Sequence, residues 1–304
     1  MALDEVVCPG CGETGSLIGK LQGSYLFAGV AYDNPLPSGY LYRCPKCFLK
    51  FRYPIQDADA YRRLYDVPLT SAWGAEASRK DWEKIVEYIH KTLPQGGKIL
   101  DFGCYSGGLL KILGERYEKY GVEVNRSAAD VAVNRGRTMI WQSLDEIPDE
   151  LYFDAIVASD VVEHVPNPEL LMSQLMQLLG KDGVLIATTG DADNPIWKIF
   201  GANWWYCFIA EHITFISKRW LDYYSREHQV KIVRFEKFRY VQLGMMRYLL
   251  DGALVLFYGI APRLFLKMGK VAKKFLARGG KVSPTGPGIS ADHIFVVLTH
   301  RGRS

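Results

Sequence analysis

Four of the six cysteines stand in two pairs, Cys8-Pro-Gly-Cys11 and Cys44-Pro-Lys-Cys47. Two thiolates so spaced can share a metal, and two such pairs can close a tetrahedron around Zn²⁺ with sulfur at ~2.3 Å. The spacing predicts a structural zinc site at Cys8, Cys11, Cys44 and Cys47, with Cys104 and Cys207 outside it as small buried hydrophobes. A second grouping begins where the apolar run Lys98-Ile-Leu-Asp-Phe102 enters a turn holding Gly103 and Gly107 and then a helical stretch. Glycines let the backbone approach a ligand closely, and a helix start offers it unpaired N–H groups. Asp101 precedes the first glycine, and Glu123 ends the next strand, where a carboxylate can accept both hydroxyls of a ribose. The Gly-x-Gly-x-x-Gly spacing of a dinucleotide site is absent. Candidate proton-transfer groups are His164, at the end of a later strand, and Glu211-His212, after the next; imidazole titrates near neutrality. Trp197, Trp204, Trp205, Tyr206 and Phe208 crowd the stretch before Glu211 and are read either as a wall for a flat acceptor or as core.

Strands and helices must hold these groups. The expected strands are Lys98–Phe102, Tyr120–Val124, Thr138–Trp141, Phe153–Ala158, Val184–Thr188, Val230–Phe238 and Asp292–Thr299. Between them, helical periodicity marks Gly107–Arg116, Ala128–Asn134, Pro168–Leu179 and Lys218–His228, and earlier Ser78–Leu93, where Trp82, Ile85, Val86 and Ile89 share a face. Strands alternating with helices predict a parallel, helix-covered α/β sheet. The organisation read from the sequence is a zinc-binding module over 1–56, a helical connector over 57–97, and a main domain over 98–304 with an insertion at 242–290.

The 304 residues, 48% of them apolar and 23% charged, exclude a disordered chain and a polytopic membrane protein. A net charge of +4 is too mild to argue for nucleic-acid binding. The charge is local: seven Lys and Arg fall between Arg263 and Lys281, and no acid lies from Gly252 to Ala291. Leu264, Met268, Val271 and Phe275 recur at helical spacing beside Lys267, Lys270, Lys274 and Arg278, an amphipathic basic pattern that fits an anionic membrane surface or a solvated face. The start of the chain lacks a basic, then apolar, leader pattern, so a cytoplasmic location is expected; residues 253–281 either touch the inner face of the membrane or form a solvated face.

Taken together, Asp101-Phe-Gly-Cys-Tyr-Ser-Gly107, Glu123, Phe153-Asp-Ala-Ile-Val-Ala-Ser-Asp-Val-Val-Glu-His-Val-Pro-Asn-Pro168 and Gly180–Thr189 resemble the motifs of class I S-adenosylmethionine-dependent methyltransferases. The resemblance covers about 220 residues and implies a Rossmann-like, seven-stranded sheet behind a small zinc-ribbon-like module. It implies S-adenosyl-L-methionine as cofactor, bound by Asp101, Gly103, Cys104, Gly107 and Glu123, with Gln142, Ser143 and Leu144 edging the adenine and Asp160 and Val161 beside it. Tyr105 stands where that family commonly has a second glycine. Glu211-His212 is similar to the segment holding the catalytic histidine of sugar C-methyltransferases, which also carry a zinc module. This implies a saccharide acceptor, free or lipid-linked, with His212 or His164 as base. The nearest alternative is an O-methyltransferase of quinones or natural-product phenols, with which the Glu163-His164 resemblance is consistent, and an N-terminal zinc module also occurs in some RNA methyltransferases.

Overall fold

Apolar runs closed by glycine become the strands of a central sheet, and the amphipathic stretches between them cover it. The computed structural model of the protein describes residues 5–27, 30–36, 38–55, 65, 79–136, 138–265, 268 and 288–302. Five N-terminal strands come first: β1 (Ser16–Lys20), β2 (Ser24–Phe27), β3 (Val30–Leu36), β4 (Tyr40–Arg43) and β5 (Lys50–Tyr53). Most of the connector expected over 57–97 falls outside the described residues before helix α1, Lys80–Thr92, begins.

The main sheet uses β6 (Gly97–Phe102), β7 (Tyr117–Val122), β8 (Met139–Trp141), β9 (Phe153–Ser159), β10 (Leu179–Gly190), β12 (Val230–Phe238) and β13 (His293–His300), in the order β12-β13-β10-β9-β6-β7-β8. The helices between them are α2 (Gly108–Ile112), α3 (Arg126–Gly136), α4 (Pro168–Gln177), α5 (Pro195–Phe200) and α6 (Lys218–Glu227). The expected sheet is present with one correction: β13 runs antiparallel to both β10 and β12. Phe238, the last residue of β12, faces His293, the first of β13, so the insertion returns the chain at the end of the sheet it left. Helix α2 is shorter than the pattern predicts because Gly114 takes a left-handed turn at φ +88° soon after it.

A four-stranded sheet, β1-β4-β5-β11, holds the N-terminal residues, and its edge strand β11 is Thr214–Phe215, from far along the chain. Arg52 fastens the same join: its guanidinium donates to the carbonyls of His212 (3.1 Å), Cys207 (2.9 Å) and Ile209 (3.1 Å). Hydrogen bonds from a buried charged donor stabilise by roughly 1.5–3 kcal/mol each. The cysteine pairs share one core with α4 and α6, where Cys44, Cys47, Leu49 and Phe51 join Leu171, Leu175 and Trp220. Helix α7, Met245–Ile260, opens the insertion; the basic stretch after it lies largely outside the described residues. Among the described residues no helix is long and apolar enough to cross a membrane.

Candidate active site

The carboxyl ends of β6, β7 and β9, where open α/β sheets place their ligands, border a cavity of about 720 Å³. Gly103 adopts φ +77°, and a Cβ there would lie 2.5 Å from the Val161 side chain, so only glycine fits. Tyr105 accepts the turn in a left-handed conformation, φ +46°, and its amide donates to Glu123 Oε2 at 2.8 Å. The amide of Asn125 donates to Oε1 at 2.7 Å. Each Glu123 oxygen keeps a second lone pair, so the carboxylate is fixed and still able to accept two hydroxyls. Burial raises its pKa against the pull of these amides. Burial also raises Asp101, to about 7, with the Arg79 charge opposing.

Asp160, at φ +52°, accepts from Arg79 and from the Tyr240 hydroxyl, both at 2.8 Å on Oδ2, while Oδ1 is buried with no hydrogen-bond partner among the described residues. Arg79 also pairs with buried Asp81 and lies against the rings of Trp82 and Tyr240. The glycine cradle, the Glu123 lone pairs and the orphaned Asp160 oxygen suit an adenosyl ligand with a polar tail. Cys104 lines this end of the cavity, its thiol kept protonated by burial.

Four positions expected at the ligand are not among the residues that line the cavity. Gly107, at φ +74°, caps α2, where a Cβ would press on Ala132 at 3.2 Å; its role is helix packing, and Gly108 faces the cavity instead. Ser143 and Leu144 stand outside the lining, as does Gln142, whose amide is tied back to Glu146 Oε2 at 3.1 Å in the turn that ends short β8. Val122, Val124 and Asn125 line the cavity beside Glu123.

The opposite end is a cluster of histidines and aromatics. Tyr206 donates its hydroxyl to Glu163, which Thr189 also holds at 2.8 Å. Burial and the Asp160 charge push Glu163 up to about 7 despite the Tyr206 bond. His164 and His212 both line the cavity, with ring centroids 5.0 Å apart. Burial lowers His164 to about 4, and lowers His212 well below the ordinary value, so both stay neutral. His212 Nδ1 faces the Tyr206 carbonyl at 3.2 Å; a carbonyl only accepts, so Nδ1 carries the hydrogen. Donor atoms of Glu163, His164 and His212 lie within 4.8 Å of one another. Glu211 is buried but stands outside the lining. Of the five clustered aromatics, Trp205 and Tyr206 face the cavity, whereas Trp197, Trp204 and Phe208 are core.

Several lining residues escaped the sequence reading. Tyr65 spans the two ends, its hydroxyl 2.7 Å from His164 Nδ1 and its carbonyl accepting from Asn125 Nδ2 at 2.9 Å. His293 opens β13 on the cavity, ringed by Trp205, Tyr206, Phe238 and Tyr240. Its Nδ1 donates to Asp292 Oδ1 at 2.9 Å, which leaves Nε2 with the lone pair. Burial would lower this imidazole, but the Asp292 bond and the charges of Asp160, Asp292 and Glu163 outweigh it and raise the pKa. The missed signal was positional: a strand antiparallel to its neighbours begins where theirs end.

In the N-terminal sheet the sulfurs of Cys8 and Cys47 are 3.6 Å apart and those of Cys11 and Cys44 are 3.4 Å apart, and all four lie within 4.8 Å of one another. The amide of Cys47 points at Cys44 Sγ at 3.3 Å. Four converging thiols with an amide donor match the donor set of a tetrahedral zinc site.

A seven-stranded sheet with this antiparallel strand, and a glycine turn and acidic strand end at its ligand edge, define a methyltransferase domain. Residues 75–234 match the family model described as "Methyltransferase domain", and the chain belongs to that family. It is 34% identical over 113 residues to the mitochondrial ubiquinone biosynthesis O-methyltransferase of Mus musculus, covering 33% of this chain and 30% of that one. It is 32% identical over 117 residues to the ubiquinone biosynthesis O-methyltransferase of Coxiella burnetii, covering 34% and 48%. The chain thus spans half or less of the length of these curated relatives. Among solved structures, it is similar to 1,6-didemethyltoxoflavin-N1-methyltransferase of Burkholderia thailandensis, with 12% identity, 82% and 94% coverage and a TM-score of 0.49.

Proposed function

We propose that the protein is an S-adenosylmethionine-dependent O-methyltransferase of a flat, largely apolar acceptor of the phenol or quinol class. The observation that carries this is a single cavity with two unlike ends, a Glu123 cradle suited to a ribose and an apolar, aromatic end beside three histidines. At the acceptor end, Trp205, Ile209, Tyr240 and Val241 offer ring faces and hydrocarbon, while both oxygens of the Glu163 carboxylate already accept from Tyr206 and Thr189. Several sugar hydroxyls would need several such acceptors, so this wall favours a planar ring over the saccharide expected from the sequence. The relatives named ubiquinone biosynthesis O-methyltransferase point the same way.

S-adenosylmethionine, when bound, supplies a methyl group on an already activated sulfonium. The residues of this chain then have to align the acceptor and remove its proton. Asp292 fixes the His293 tautomer and would support its imidazolium, so Nε2 is the atom that would take the acceptor O–H proton as the oxygen gains the methyl group. S-adenosylhomocysteine and a methyl ether remain. His164 and His212 stay neutral and orient the hydroxyl, and Tyr65 and the Tyr206 carbonyl hold their rings. Cys8, Cys11, Cys44 and Cys47 hold Zn²⁺ in a structural role, through which the N-terminal sheet steadies β11 and His212.

The test supplies S-adenosylmethionine labelled in its methyl group together with either an isoprenoid-tailed catechol or a nucleotide sugar. Label in the catechol as a methyl ether is expected. Label in the sugar alone would overturn the acceptor class, and a calorimetric titration showing no binding of S-adenosylhomocysteine would overturn the reading altogether.

A further inference from the structure

Helix α7 is fastened to the protein along one stripe and apolar on the opposite one. Asp251 and Tyr258, seven positions apart, are its buried residues; Tyr258 packs on Phe200 at 4.4 Å between ring centroids and accepts from Asn203 Nδ2 at 3.0 Å. At 100° per residue, Met245, Met246, Leu249, Leu256 and Ile260 fall within about 100° of arc on the far side. Their exposures are 82%, 73%, 61%, 68% and 83%. Residues 245–268 carry nearly half of the large hydrophobic side chains exposed among the described residues. A concentration of this kind marks an interaction surface.

The composition that follows says what covers it. Seven Lys and Arg between Arg263 and Lys281, with no acid from Gly252 to Ala291, favour an anionic partner, and a continuous apolar stripe favours hydrocarbon. An anionic bilayer offers both at one interface. A 16-residue helix is about 24 Å long, short of the ~30 Å hydrocarbon core, and Arg247 and Asp251 interrupt it, so it suits the plane of the interface and not a crossing.

We propose that α7 and the basic stretch after it dock the protein on an anionic lipid surface, the apolar stripe in the acyl boundary and the lysines among the headgroups. Val241, which lines the cavity, stands just before α7, so docking brings the acceptor end of the cavity close to the bilayer. An acceptor with an apolar tail could then be taken from the membrane. That last step alone rests on the proposed acceptor class.

The experiment is co-sedimentation of the full chain with vesicles of phosphatidylcholine alone or mixed with phosphatidylglycerol, at low and at 0.5 M salt. Two variants accompany it: Met245→Ser with Leu249→Ser, Leu256→Ser and Ile260→Ser, and Lys267→Ser with Lys270→Ser and Lys274→Ser. The native chain is expected to pellet at least tenfold more with the anionic vesicles and to be released by salt. Both variants should lose most of this binding while their thermal shift with S-adenosylhomocysteine stays within that of the native chain. Equal pelleting on the two vesicle types, none on either, or undiminished pelleting of the tetra-serine variant would overturn the proposal. So would a dimer in solution that the tetra-serine variant dissociates, without vesicle binding, because the stripe would then serve a second copy.

Discussion

The two ends of the cavity are built by opposite strategies. The cofactor end uses mainly neighbouring segments: β6, its glycine turn, the close of β7 and Asn125 fall within about 30 residues, with Arg79 and Asp160-Val161 added from elsewhere. The acceptor end draws on Tyr65, Glu163-His164, Trp205, Tyr206, Ile209, His212, Tyr240-Val241 and His293. It also leans on the N-terminal sheet, which reaches it through β11 and Arg52. Contiguity makes the first end a motif that can carry over between chains, whereas the second depends on the fold of the whole molecule. The comparison implies that damage at one end should show in cofactor affinity and at the other in turnover.

The largest effect expected is that of His293→Gln, which keeps the size but not the basicity of the side chain. Turnover should fall about a thousandfold, within the range of general-base contributions, with S-adenosylhomocysteine affinity unchanged within threefold in calorimetry. A variant that kept its rate would return the proton to His212 or His164. Glu123→Ala should do the reverse, weakening S-adenosylhomocysteine by about a hundredfold, since it removes the ribose acceptor and leaves the amides of Tyr105 and Asn125 unpaired.

A smaller loss is expected from the N-terminal sheet. Cys44→Ser with Cys47→Ser, or a chelator, should lower turnover about tenfold by loosening β11 and the His212 backbone, while cofactor affinity holds; metal content by atomic emission is the control. Equal losses in affinity and turnover would erase the proposed division.

The smallest change is a displacement of the pH profile. A base works when neutral, so kcat/KM should fall as pH drops through the pKa of His293, which its surroundings raise above 6.5. Asp292→Asn removes a raising charge and should move that limb to lower pH. No movement would separate Asp292 from the proton transfer.

The same division governs what the sequence could disclose. The turn from Asp101 to Gly107 and the acid at Glu123 were legible because strand, glycine and carboxylate follow one another in the chain. The convergence of the four cysteines was legible because they stand in two Cys-x-x-Cys pairs, and all four sulfurs do lie within 4.8 Å of one another. Ser143 and Leu144 follow the three-residue β8 in a turn closed by Glu146 on the Gln142 amide, and neither is among the residues that line the cavity. The Trp197–Phe208 stretch could not be divided into wall and core by periodicity, since short 3-10 turns break its helical repeat between core Trp204 and the cavity-lining Trp205 and Tyr206. His293 was invisible for a topological reason: nothing local announces that the final strand runs backwards and starts at the ligand edge.

The strand shared between β5 and β11 bears on how the chain is made. Arg52 and His212 are 160 residues apart, so the N-terminal sheet leaves the ribosome long before the strand that completes its border. Until then β5 shows an unpaired edge, the kind of surface that recruits wrong partners. Cysteines that close early around a metal would hold that half-finished sheet in shape during the wait, and the protein's yield in a zinc-starved cell should fall before its activity does.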